Sequence, residues 1–130
     1  MSNPVAKRGD RVVGLDKHVV LVSTPGGAVP TTIVLPFDGP LRDELSPTVF
    51  IDGKALAVVG SRAENAPGHI PIGGVFQRTP SDVGVVARGS ATVYADYKAV
   101  ARAGDPVACC NDPGDEESGH VVAEGRVIAG

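Results

Sequence analysis

Hydrophobic positions along this chain fall in short β-branched runs separated by turn residues, and one such run occurs twice. Residues 47–61 read PTVFIDGKALAVVGS and residues 91–105 read ATVYADYKAVARAGD, aligned without a gap at an offset of 44. Thr48/Thr92, Val49/Val93, Asp52/Asp96, Lys54/Lys98, Ala55/Ala99, Ala57/Ala101 and Gly60/Gly104 are identical, and Phe50 stands opposite Tyr94. Each copy is an apolar run, a polar turn, then a run of small residues closed by Gly, which predicts a β-hairpin. Repetition at this period marks an architecture made by stacking or rotating one unit.

A third copy is divided between the two ends. VAKRGD at 5–10 matches VARAGD at 100–105, the second half of the unit. VAEG at 122–125 matches VARG at 86–89, which leads into the first half. A linear solenoid gives no reason for this division, whereas a closed ring of three units needs its terminal strands to meet. The expected fold is therefore all-β, with pseudo-threefold symmetry, in one domain over residues 1–130.

The remaining stretches read as follows. Val12, Val13 and residues 19–22 form strand pieces around His18. Residues 25–37 (PGGAVPTTIVLPF) read as a loop with a short apolar extension, and residues 38–46 as a polar, exposed segment. A Gly/Pro-rich connection, 62–84, carries His69; an acidic loop, 109–119, precedes a closing strand over 120–128. Hairpins make the base in this reading, and long loops rise from it.

Composition narrows the reading. Gly and Pro contribute 17 and 11 of the 130 residues, which interrupts helices and supplies turns. No window sustains a 3.6-residue apolar period. Aromatic residues are only 4% and Trp is absent, so the core must be made mostly of Val, Ala and Ile. So thin a core favours a metal staple or a partner surface. Net charge is −3 with both signs mixed along the chain, which is no nucleic-acid footprint. No apolar run approaches membrane-spanning length and no signal-peptide pattern opens the chain, which predicts cytoplasmic synthesis outside the ordinary secretory route. Cys109 and Cys110 are adjacent, a poor disulfide geometry.

All three histidines follow the Gly that ends a unit. His18 lies nine residues after Gly9 and His69 nine after Gly60; His120 lies sixteen after Gly104, with the cysteines at five and six. Equal offsets in a threefold body bring equivalent residues to one axis. Three imidazoles (His18, His69, His120) and one of the two sulfurs make a four-coordinate N/S set, the preference of Zn²⁺. With four protein ligands no position is left for a water nucleophile, so the expected site is structural. Against this stands the ordinary reading of scattered histidines as surface or core residues; the shared repeat offset is what argues otherwise.

Other candidates are weaker. Asp112, Asp115, Glu116 and Glu117 lack the alternating spacing of a Ca²⁺ loop. Gly26-Gly27 and Gly73-Gly74 open no helix that could receive a phosphate. No serine sits in a nucleophile elbow. No catalytic set emerges, and the chain is not expected to be an enzyme.

Asp52-Gly53-Lys54-Ala55 and the run KAVARAGD at 98–105 resemble the units of PAAR-repeat proteins, the sharpening tips of contractile injection systems. The resemblance covers nearly the whole chain, although the first full copy departs from it by ending Val59-Gly60-Ser61. The resemblance implies a cone of three hairpins whose long loops converge on a metal-bound apex, with Cys110 of the Cys110-Asn111-Asp112-Pro113 run as the sulfur ligand. Relatives carry a His before a Pro-Phe pair where this chain has Leu35 before Pro36-Phe37, so His120 is expected to restore the fourth ligand. It further implies one tip on a trimeric β-helical spike, with Val49, Ile51, Val93 and Val127 as base candidates, and transient contact with a target membrane. Effector cargo would dock non-covalently, since no fused toxin is expected. Two other readings remain: a small zinc-dependent hydrolase, which needs an open coordination position, and a free-standing β-rich cargo adaptor.

Overall fold

The computed structural model describes residues 2–130, and among them there is no helix. The strands are β1 (Asn3–Pro4), β2 (Arg11–Thr24), β3 (Gly27–Asp43), β4 (Phe50–Ile51) and β5 (Lys54–Ala55). They continue with β6 (Arg62–Glu64), β7 (Val75–Phe76), β8 (Val83–Val86), β9 (Tyr94–Ala95) and β10 (Lys98–Ala99). Last come β11 (Pro106–Cys109), β12 (Glu116–Val122) and β13 (Ile128–Ala129).

The two repeated segments form the expected hairpins. β4 pairs with β5 and β9 with β10, Phe50 facing Ala55 and Tyr94 facing Ala99. The split copy forms the same ladder without a turn, because β1 pairs with β13 and Pro4 faces Ile128.

Past each pair the chain enters a ring of backbone hydrogen bonds. Ala6 N–H donates to Ala101 O (2.9 Å), Ala101 N–H to Ala57 O (3.0 Å), and Ala57 N–H to Ala6 O (2.9 Å). The circuit closes because each segment donates to one neighbour and accepts from the other. All three alanines are fully buried, and a methyl group is all that such close backbones admit. The following turns match too. Gly9 N–H donates to Leu41 O, Gly60 N–H to Val86 O and Gly104 N–H to Val121 O. The residue equivalent to Val86 is thus Val121 rather than Val122, one position from the match read in the sequence.

From those turns rise three antiparallel strand pairs: β2 with β3, β6 with β8, and β11 with β12. Neighbouring pairs join through β3–β6, β8–β11 and β12–β2, so the large sheet closes on itself. Closure leaves these six strands with no free edge over the paired stretch. β7 adds to β2 farther out, at Val20 and Leu21. Inside the closed sheet Val12, Phe37, Leu41, Val86, Val107, Cys109 and Val121 form the main core, with the three ring alanines included. A second cluster gathers Val5, Leu56, Val58, Ala95, Val100 and Ala129. Burying a side chain of the Val or Phe class stabilises by about 1.5–3 kcal/mol.

Two sequence readings need correction. Residues 27–43 are one long strand, not a loop followed by an exposed segment. Pro30, Pro36 and Pro40 suggested a loop, but all three share one parity on β3, facing Leu21, Leu15 and Arg11. On a strand, residues of one parity direct their N–H to the same side, so prolines spaced this way spare the β2 ladder. Leu41, in the segment read as exposed, is fully buried.

Candidate metal centre

Strand parity builds the site. On β2, Val12, Asp16, His18 and Val20 are buried while Arg11, Leu15 and Lys17 are exposed, the alternation of a strand with one face inside. Asp16 and His18 therefore point the same way, two residues apart. His69 comes from the segment between β6 and β7, and Cys110 from the residue after β11.

These four side chains meet. Asp16 Oδ2 lies 2.7 Å from His69 Nε2 and accepts from Cys110 Sγ at 3.4 Å. Cys110 Sγ is 3.7 Å from His18 Nε2. One potential ligand atom from each residue lies within 4.8 Å of the others, and the group could hold a metal ion. A tetrahedral ion with bonds of about 2.0–2.3 Å needs donors roughly 3.3–3.8 Å apart, so movements on the order of 1 Å suffice.

A surrounding layer holds two of the donors, Asp16 and His69. Ser118 Oγ donates to Asp16 Oδ1 (3.2 Å) and accepts from Asn111 Nδ2 (3.0 Å). Asn65 Nδ2 meets His69 Nδ1 at 3.2 Å, and His69 N–H donates to Asp82 Oδ1 (2.9 Å). Asn65 is itself anchored, its Oδ1 accepting from Asp38 N–H (2.9 Å).

The electrostatics favour a cation. Burial, then the charge of Asp16, pushes the Cys110 thiol up to about 12. Burial, then the charge of His69, lowers His18, although Asp112 and Asp16 act the other way. Without an ion the pocket thus holds a protonated thiol and a neutral imidazole. Two neutral imidazoles, a carboxylate and a thiolate would together carry −2, the complement of a divalent ion, whose own field would draw the thiol proton off. His18 Nδ1 is a buried side-chain nitrogen without a hydrogen-bond partner.

The structure brings together three of the four expected ligands: His18, His69 and Cys110. His120 stands apart. It lies on β12 between Gly119 and Val121, which are buried, so strand alternation turns it to the outside, where it is exposed opposite Val13 and Pro106. Asp16 takes the fourth place. Its two-residue spacing from His18 is the signal in the sequence, because a strand puts positions i and i+2 on one face. A second signal is a repeated Asn-x-Pro-Gly, at residues 65–68 and 111–114, flanking His69 and Cys110. Cys109 is buried in the core instead.

No protein-family model matches this chain, and no curated protein sequence matches it.

Proposed function

We propose that this protein is the structural tip of a contractile injection system, a pseudo-threefold cone that caps a trimeric β-helical spike and is pinned at its apex by zinc. The observation that carries the proposal is the closed circuit through Ala6, Ala57 and Ala101. A single asymmetric chain whose backbone repeats three times about one line can match a partner of three identical chains.

The side chains around that circuit suit such a partner. Leu56 N–H donates to Val49 O, Val100 N–H to Val93 O and Val5 N–H to Val127 O, which makes Val49, Val93 and Val127 equivalent. Phe50, Tyr94 and Ile128 follow them and are 56%, 61% and 58% exposed. Val49, Val93 and Val127, with Tyr94 and Ile128, line a shallow apolar recess of about 210 Å³. Three matched apolar positions on one face are the pattern expected of a surface covered by a trimer. Ile51, the fourth base candidate, packs on the second core cluster and lines the same recess.

Zinc in the Asp16–His18–His69–Cys110 group would tie β2 to two long connections over a small core. Structural zinc supplies on the order of 10 kcal/mol of folding free energy. Four protein donors leave no position for a reacting water, which favours a structural role over a hydrolytic one. Transient membrane contact and cargo docking belong to this reading as consequences of its place on the particle.

The test is co-expression with the trimeric spike protein of the same injection system, followed by mass measurement and elemental analysis. One tip per three spike chains, with one zinc per tip, is the expected result. A protein that stays alone beside an intact spike trimer overturns the proposal.

A further inference from the structure

His18 Nδ1 has no hydrogen-bond partner, yet a carboxylate stands just out of reach: Asp112 Oδ2 lies 3.6 Å away. Asp112 is itself nearly buried, its side chain 8% exposed. Its oxygens are spoken for on the other sides. Oδ2 accepts from Val19 N–H at 2.8 Å, and Oδ1 accepts from Arg78 Nε at 3.0 Å. Arg78 also donates to Asn111 O (2.5 Å), so the guanidinium clamps two consecutive residues.

The clip that holds this segment does not itself require the carboxylate. Asn111 Oδ1 accepts from Lys17 N–H (2.7 Å) while Asp112 N–H donates to Lys17 O (2.8 Å), clipping the segment to β2. The other Asn-x-Pro-Gly copy makes the same clip, with Asn65 Oδ1 on Asp38 N–H (2.9 Å) and Ala66 N–H on Asp38 O (3.2 Å). Ala66 occupies the place of Asp112 there. The clip therefore forms with a methyl group, and the carboxylate at 112 answers to something else. Two things differ: Asp112 Oδ2 accepts from Val19 N–H where the equivalent Pro40 has no N–H to give, and Asp112 also faces an imidazole whose other nitrogen points at Cys110 Sγ.

We infer that Asp112, held by Arg78, is a positioning residue for His18: it accepts the Nδ1 hydrogen and so leaves Nε2 free as a donor beside Cys110. The inference rests on the metal-centre reading. Histidines that bind metals commonly give their second N–H to a carboxylate, which fixes the tautomer and the ring orientation, and losing that partner weakens metal binding by about 10–100-fold.

The experiment uses the full chain and two readouts. In the metal-free protein, imidazole ¹⁵N spectra are expected to show His18 as the Nδ1–H tautomer, and Asp112→Ala to shift it toward Nε2–H. In zinc competition against a chromophoric chelator, Asp112→Ala is expected to weaken binding by about 10–100-fold. Asp112→Asn, whose amide oxygen can still accept from Nδ1, should recover part of that loss, and Arg78→Gln should weaken binding by a smaller factor. Cobalt spectra of the variants then report whether the ligand set is otherwise intact. Wild-type His18 in the Nε2–H form, or zinc affinity within twofold of wild type in Asp112→Ala, overturns the inference. A wild-type protein that binds neither zinc nor cobalt while His18 is Nδ1–H overturns the metal-centre reading, and with it the role of Asp112 in metal binding.

Discussion

Asp16 Oδ2 and His69 Nε2 are 2.7 Å apart, both side chains sealed from solvent, and 53 residues separate them along the chain. The contact joins the inner face of β2 to the Gly/Pro-rich connection after β6, and Asp16 accepts from Cys110 as well. Removing its carboxylate strands both donors. Leaving a buried hydrogen-bonding group unpaired costs about 1–3 kcal/mol. Asp16→Ala is therefore expected to lower stability by an amount within that range in urea denaturation, and to abolish zinc retention.

His120→Ala is the matching control. The imidazole is exposed on the outer face of β12, where substitutions usually change stability by less than about 0.5 kcal/mol. Zinc content by elemental analysis and melting temperature are expected to stay at wild-type values, while His18→Ala and His69→Ala lose the metal. Zinc loss in His120→Ala would place a third histidine ligand where the strand parity does not.

Shifts at three groups give the metal-free protein a pH window. Burial, then Asp16, raises Cys109 and Cys110 to about 12 from an unfolded value near 9.0. A raised value in the fold means stability that is full below about 9 and lost as pH climbs through about 12. His18 is held below 6.5 chiefly by burial, so its contribution is present above 6.5 and fades as pH falls through the lowered value. Thermal melts in EDTA should show stability declining on both sides of that window. Zinc should extend the alkaline side, because the bound form already carries the thiolate of Cys110. Identical melting temperatures at pH 7 and pH 10.5 without metal would contradict the assignment.

Tyr97 adopts φ of +66°, where Gly53 in the first hairpin has +76°, and its side chain is fully exposed. A left-handed backbone costs a non-glycine residue roughly 1–2 kcal/mol. Tyr97→Gly should relieve this at an unfolded-chain entropy cost of about 0.4–1 kcal/mol. The net expectation is a small rise in melting temperature of the isolated protein. If the base docks on a spike trimer, the same variant should bind it more weakly, since a fully exposed tyrosine on the hairpin turn suits an interface.

The alanine circuit is expected to reject larger side chains equally at each station. Ala57→Leu and Ala101→Leu add volume where three backbones converge, and overpacking of that kind costs about 1–3 kcal/mol. Chemical denaturation of the two variants should give similar losses. A loss at one and none at the other would show that the stations are not equivalent.

The sequence alone determined whatever depends on local pattern. The repeated hairpins, the division of the third between the termini and the absence of helix all follow from turn residues and β-branched runs. His18 and His69 are legible as a pair because their equal spacing after unit-ending glycines carries them to one region, whereas that spacing leaves Cys109 and Cys110 open and only the resemblance favours Cys110. Tertiary structure alone decided which face each strand turns inward. Asp16 lies inside and His120 outside because a single residue of register reverses every side chain on a strand, and no count from a glycine fixes that parity. It also decided that residues 27–43 extend as one strand, since prolines confined to one parity are tolerated only when the neighbouring ladder does not need their N–H, a condition set by strands distant in the chain.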